Sequence, residues 1–313
     1  NTLYDVPNRL RIASAIGWPE TVLQITHEDI INAHKKYFVR ENMEIFIAGN
    51  IEALASIEGM TGKGHSSESD ENQSGFEKLK AMLHEFLIKI PHGEKAEFPA
   101  IPHVIGGPKV ACFEHTYEET GMSPRQQASI SLSSNLPRLH KKAEAANSRA
   151  EDKHLAALSL AGDLIADLVF RKLRLENSWC YGAGAGASIC LDYLSFNMGG
   201  SIDFNHIDEA IAIMWGIVDD IKKGGPEVRA DFEKTKRLAV ENTLAKERTT
   251  TSIIESVVDG MKLNGKLISL KEWLLDVADV TFDDVQEIAG KYLDKEKVFT
   301  EIIRPDADAA IKN

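Results

Sequence analysis

ITHEDIINAHKKYF, residues 25–38, returns near the other end of the chain as VTFDDVQEIAGKYL, residues 280–293. One offset of 255 residues aligns the two stretches. Carried back to the preceding tryptophan, it gives identities at Trp18, Val22, Thr26, Asp29, Lys36 and Tyr37. Ile25, Glu28, Ile30 and Phe38 meet conservative partners. Thr26 and Asp29 have the form of a capping box, so Thr26 is expected to start an amphipathic helix that runs through Tyr37. A period this long is too coarse for a solenoid and indicates a duplicated domain. The first copy comes so early that its opening portion is expected to lie ahead of Asn1. The chain reads as the back end of a two-copy protein.

Composition narrows the classes. With 313 residues and 43% apolar content there is material for about two domains. A net charge of −12 argues against a nucleic-acid binder, which needs a basic face for phosphates, but leaves a peptide ligand open. No apolar run approaches the ~18 residues of a membrane span. The cysteines, Cys112, Cys180 and Cys190, make neither an even disulfide framework nor a CxxC zinc spacing.

Read in order, Glu44–Ala48 (EIFIA) is a short apolar run ending at Gly49 and is expected to be a buried strand. Residues 59–75 are a solvated loop by composition. Phe76–Ile90 has helical spacing, and residues 92–108 read as a linker rich in proline and glycine. Past it, Val110–Phe113 reads as a strand. Ala128, Ile130 and Leu132 alternate with serines in the period of a half-buried strand. Residues 140–153 read as a polar surface excursion. Leu155–Leu173 is apolar around most of its circumference, the mark of a helix covered on more than one side. Residues 181–204 read as a strand pair with its turn at Gly199-Gly200. Ile207–Ile221 is an amphipathic helix stopped by Gly224-Gly225, and Pro226 suits the first turn of the next. Further helices are expected near 252–263 and 283–292, and Val298–Ile303 should be the last strand. Strands in blocks, with helices between and after them, indicate an α+β fold.

One constellation stands out, Arg174 and Tyr181 in LRLENSWCYGAGAG. Alternating Gly and Ala after Tyr181 leave a strand with almost no side-chain bulk, so another backbone can lie close to it, as in strand-addition peptide recognition. Gly182, Ala183 and Gly184 are the candidate substrate contacts. Arg174 and Tyr181 are both donors and could hold a substrate carbonyl. The plainer alternative stays open: Arg174 capping a helix by its charge and Tyr181 an ordinary strand aromatic. GAGAGAS lacks the GxGxxG spacing and no helix follows it to hold a phosphate. The ten histidines form no HExxH and no HxxEH. His206 with Glu209 comes nearest, but a zinc site needs at least three protein ligands. There is no GxSxG, and Thr249–Ser252 reads as a helix cap.

Three segments together carry a resemblance. The stretch Leu155–Ser188, with FRKLR at 170–174 and the Arg174-x6-Tyr181 pair, resembles the C-terminal half of the pitrilysin-type zinc peptidases, the group of insulin-degrading enzyme and the mitochondrial processing peptidase. Ile25–Gly49 is similar to the end of that family's N-terminal half, and RQQASISLSS (Arg125–Ser134) to the early strand of its second half. The resemblance implies two homologous α+β halves that close on a chamber. It implies a zinc held by HxxEH and a downstream Glu in the N-terminal half, and a peptide substrate added as a strand to a sheet edge. It assigns Arg174 and Tyr181 to the C-terminal half's grip on the scissile carbonyl, as catalytic residues. On this reading residues 1–91 are the tail of an N-terminal half, 92–108 a linker and 109–313 a complete C-terminal half. HxxEH is absent from the chain. The resemblance therefore implies a zinc endopeptidase whose metal lies outside this polypeptide and which this chain alone does not complete. The alternative is a zinc-less partner or non-catalytic scaffold subunit of the same fold.

Overall fold

A computed structural model describes residues 19–56, 74–97, 109–115, 127–137, 149–189, 193–246, 249–264 and 269–305. These divide into two compact units, one of described residues between 109 and 246 and between 259 and 305, the other of those between 19 and 97 and between 249 and 258.

The larger unit is a five-stranded sheet with helices packed on it. Its strands are β1 (Lys109–His115), β2 (Gln127–Pro137), β3 (Cys180–Ile189), β4 (Tyr193–Asp203) and β5 (Phe299–Pro305), ordered β1-β5-β2-β4-β3. Only β1 and β5 run parallel; β5–β2, β2–β4 and β4–β3 are antiparallel. The last strand of the chain thus lies inside the sheet, and β3 is an edge. Alternation works as the sequence implies: Ala128, Ile130 and Leu132 of β2 and Phe196 and Met198 of β4 are buried, while Ser129 is exposed. Helix spacing supplies the other layer. We number the helices α1 (His27–Tyr37), α2 (Gly75–Leu87), α3 (Arg149–Phe170), α4 (Ile207–Lys223), α5 (Pro226–Lys246), α6 (Thr250–Asn264), α7 (Leu270–Asp279) and α8 (Phe282–Tyr292).

α3 is the pillar of the core. It buries Leu155, Ala156, Ala157 and Leu158 in succession, which requires neighbours all round. These are β3 on one side and α4, α5, α7 and α8 on the others. Its Gly162 lies so near β3 that a β-carbon there would come 3.1 Å from the Ala187 nitrogen. Small residues on β3 therefore admit α3 as well as leaving room at the strand's free edge. α4 ends at Gly224, whose φ of 73° is a left-handed cap that glycine adopts without strain.

Four expectations need correction. Gly199 and Gly200 are not a turn; they lie within β4. A β-carbon on Gly199 would collide with the Ile130 carbonyl oxygen, and one on Gly200 would meet the Gly182 oxygen at 2.5 Å. Close approach of β2, β3 and β4 is what excludes a side chain there. Residues 149–153 are already the first turn of α3 rather than a polar excursion. Residues 270–279, given no helix from sequence, form α7 behind a Ser269–Glu272 capping box. Finally, Glu44–Ala48 forms no strand, and Ile45 and Ile47 are exposed. Backbone donors and acceptors make a strand only where a neighbouring strand receives them, and none stands beside this segment among the described residues. The loop at 59–75 lies almost wholly outside the described residues.

In the smaller unit, α1 carries the capping box read from sequence: Asp29 N–H donates to Thr26 Oγ1 at 3.2 Å and Thr26 N–H to Asp29 Oδ2 at 2.8 Å. The Thr26 hydroxyl, which donates to the same Oδ2 at 2.6 Å, and then the Thr26 N–H hold the Asp29 carboxyl below its usual range. The turn after α1 clasps the chain beyond α2. Glu41 accepts from Gly93 N–H at 2.8 Å and pairs with His92 Nδ1 at 2.9 Å, while Arg40 Nε donates to the Ile90 carbonyl at 2.7 Å. The His92 bond first, then the Gly93 N–H, pull the Glu41 carboxyl down to about 2.

Candidate functional site

Three departures from regular backbone lie within twelve residues, and each helps position Arg174 or Tyr181. α3 does not stop at Phe170 but widens into a π-helical segment, Arg171–Glu176. Asn177 closes it, its side-chain amide donating to the Lys172 carbonyl at 2.8 Å. Ser178 then takes φ 58°, a left-handed conformation rare outside glycine. Trp179 N–H reaches back to the Leu173 carbonyl at 3.0 Å, and its ring stacks on His206 with centroids 4.4 Å apart. The third departure is in β3. Cys180 pairs with Ile202 and Ala183 with Gly200, so Tyr181 and Gly182 face a single residue of β4 and bulge. A bulge re-aims the side chain it carries, and Tyr181 is 83% exposed.

The result brings the two residues together. The guanidinium carbon of Arg174 lies 5.7 Å from the centroid of the Tyr181 ring, and its Nη1 donates to the Cys180 carbonyl at 2.9 Å. Arg174 is half-buried and has no carboxylate partner among the described residues. Its neighbour Arg171 is spoken for: it pairs with Asp231 at 2.9 Å and Asp167 at 3.2 Å, and the Asp231 bond raises its pKa. A guanidinium has five N–H donors, so one strand contact leaves Arg174 most of its capacity. Burial pushes the Cys180 thiol up, against the pull of Arg174, which makes it an inert core group rather than a nucleophile.

Gly182, Ala183 and Gly184 follow the bulge on the sheet's edge strand. Gly182 has open space where a β-carbon would be, while Ala183 packs against the core. Beside them an open groove of about 480 Å³ is lined by Ser131, Gly184, Gly186, Asn197 and Gly199. Asn177 and Ser178, which hold the turn, were not singled out from sequence. An Asn-Ser pair directly after a long apolar helix is the signal that marks them. No group of three or more His, Cys, Asp or Glu residues able to hold a metal occurs among the described residues. A zinc ion therefore finds no fitting ligand set there, and no chemical step is assigned to one.

Comparison with known families identifies the fold. A family model described as the peptidase M16 inactive domain matches residues 75–238, just over half of the chain. The chain belongs to the peptidase M16 family. Among solved structures, this M16 chain is similar to a peptidase M16 inactive domain from Pseudomonas fluorescens at 16% identity and TM-score 0.62, covering 94% of this chain and 61% of that one. It is similar to a protease from Helicobacter pylori at 16% identity and TM-score 0.65, covering 93% and 62%. It also resembles a chain of complex III2 from Candida albicans at 13% identity and TM-score 0.62, covering 94% and 62%. At such identities the likeness is one of fold, and the M16 chain spans less than two thirds of each of these structures. No curated protein matches its sequence. The α+β, pitrilysin-like architecture is thus that of an M16 inactive domain. No helix among the described residues is long and apolar enough to cross a membrane.

Proposed function

We propose that this chain supplies the substrate-holding wall of a zinc-dependent endopeptidase, with Arg174 and Tyr181 gripping the scissile carbonyl. Residues 1–91 belong to the tail of one half, 92–108 to a linker and 109–313 to a complete second half. The metal-bearing half is a partner, in the same or another polypeptide. Alone, the chain does not hydrolyse peptides.

The observation that carries this reading is the Arg174–Tyr181 pair, with Cζ 5.7 Å from the ring and the phenol open to solvent, held by a π-turn, a left-handed serine and a bulge. Such irregularities gather where a structure holds side chains for a task. An extended peptide laid along β3 would find backbone partners at Gly182, Ala183 and Gly184 without side chains in its way. Its carbonyl oxygen would accept from the guanidinium and the phenol. If both bonds shorten as the oxygen gains charge, they stabilise the transition state more than the bound substrate.

The test is cleavage of an internally quenched peptide by the assembled enzyme carrying Arg174→Ala or Tyr181→Phe. Each is expected to lower kcat/KM by roughly 10²–10³ while circular dichroism stays unchanged. Wild-type-like kcat/KM would end the assigned role. The second reading, a non-catalytic scaffold subunit, has in its favour the shared fold with a chain of complex III2. It predicts an assembly that forms but cleaves nothing.

A further inference from the structure

Thr26, Ser74, Ser269 and Thr281 each open a helix in the same way, with extended backbone and a side chain that accepts from the N–H of an acidic residue three places on. α4 has the acidic residue, Glu209, but its cap position holds His206, whose side chain makes no capping bond. The backbone there, φ −122° and ψ 24°, is not extended either. A helix start favours Ser, Thr, Asp or Asn, so His206 forgoes a local gain. Local rules are broken where a residue has a task elsewhere. The ring of His206 lies flat on Trp179, centroids 4.4 Å apart and planes 7° from parallel.

Trp179 is where the segments of Arg174 and Tyr181 are joined. Its N–H donates to the carbonyl of Leu173, the residue before Arg174, and its own carbonyl accepts from Asp203 N–H at 2.7 Å. The next carbonyl, of Cys180, takes Arg174 Nη1, and Tyr181 follows. The Asp203 carboxylate accepts from the Asn205 backbone N–H and side-chain amide, both at 2.9 Å. It thereby holds the 3₁₀ turn Phe204–His206 that presents the imidazole. This path runs through a π-helical segment and the left-handed Ser178, which a chain keeps only where its surroundings impose them. Asn177 supports it on one side of Ser178, and the stack on His206 supports it on the other.

We propose that His206 is a positioning residue for the Arg174–Tyr181 pair. Its ring, stacked on Trp179, fixes residues 177–180 and with them the direction in which Tyr181 leaves the bulge. The task asks of residue 206 a flat ring that stacks, not a charge and not a metal bond. A contact that merely filled space would be served by any apolar side chain of similar bulk and would act on stability alone. The kinetic consequence rests on the proposed grip of Arg174 and Tyr181 on substrate; the placing of Tyr181 does not.

The full 313-residue chain is labelled with fluorotyrosine, and Tyr181→Phe identifies the fluorine NMR signal of residue 181. His206→Leu, which keeps bulk and loses the flat ring, is expected to shift that signal; His206→Phe should leave it in place. Trp179→Leu should shift it as His206→Leu does, and the two together should shift it no further, because one stack cannot be lost twice. Should His206→Leu fail to fold, His206→Ser, the better cap, takes its place. A signal unmoved by loss of the ring, moved equally by His206→Phe, or moved additively in the double variant overturns the proposal. In the assembled enzyme His206→Leu should lower kcat about tenfold with KM nearly unchanged, since a misplaced donor costs most in the transition state, and His206→Phe should restore it. If Arg174→Ala and Tyr181→Phe leave kcat/KM unchanged, the grip fails and the fluorine signal alone decides for His206. If they lower it and His206→Leu does not, the positioning role is overturned while the grip stands. A fall in Tm with signal and kcat unmoved likewise overturns it, since the stack would then be structural only.

Discussion

Lys153 ties α3 to the N-terminus of α8 through Asp284, Nζ to Oδ2 at 2.8 Å, on the same carboxylate that caps the helix through Thr281. One side chain thus closes a capping box and a tertiary ion pair. Burial works to raise its pKa, but the bonds from Lys153 and Thr281 together outweigh it and leave it lowered.

Asp284→Ala should therefore destabilise the larger unit by about 1–2 kcal/mol, a lost cap plus a partly screened pair. The lowered folded pKa fixes the sign. The contribution of Asp284 is fully present above the ordinary carboxylate value and is lost as pH falls through the folded one. Urea denaturation of wild type and variant from pH 7 to pH 3 should give a constant gap at neutral pH that narrows in acid. A gap that widens in acid would contradict this account.

Gly199→Ala should cost about 1–3 kcal/mol, because its β-carbon meets the Ile130 carbonyl oxygen across β2 and β4 and a backbone must shift. Gly216→Ala in α4 is the control. Outside its chain neighbours and its own helix backbone no atom lies within 4 Å of the added carbon, and replacing a helical glycine should raise stability by about 0.5–1 kcal/mol. Thermal denaturation of the two variants should move Tm in opposite directions.

Ser178→Val should destabilise by about 1–2 kcal/mol, since a β-branched residue resists φ 58°. Ser178→Gly should be tolerated. Trp179, the next residue, reports locally: its stacking on His206 should loosen in the valine variant and persist in the glycine one, seen as a change in tryptophan emission.

The clasp between Glu41 and Gly93 should survive mild acid. Its folded pKa is about 2 against an ordinary 4.5, so the bond is fully present above about 4.5 and fails only as pH approaches 2. Hydrogen exchange at the Gly93 amide should show protection at pH 3.5 in wild type and none in Glu41→Ala. Equal exchange in the two would remove the clasp.

Elements whose cause is local were legible. Thr26 and Thr281 announce their helices because a cap bonds to residues three positions away, and Gly224 announces a helix end because its φ is a property of one residue. β2 was legible from alternation alone. Arg174 and Tyr181 could be picked out as a pair, but not the π-turn at 171–176 or the bulge at Tyr181–Gly182 that aim them. The misreadings share a cause as well. Gly199-Gly200 looks like a turn until Ile130 stands beside it. Glu44–Ala48 looks like a strand until one asks which strand would receive its hydrogen bonds.

By itself the sequence determined the two copies of one capped helix, the apolar faces, the acidic balance and the small-residue strand after Tyr181, because each depends on neighbours along the chain. Only the tertiary structure decided that α8 is covered while α1 is bare, that β5 enters the sheet between β1 and β2, and that a guanidinium lies 5.7 Å from the centroid of the tyrosine ring. Those outcomes depend on which surfaces meet, and burial and pairing join residues far apart in the chain, such as Lys109 and Phe299.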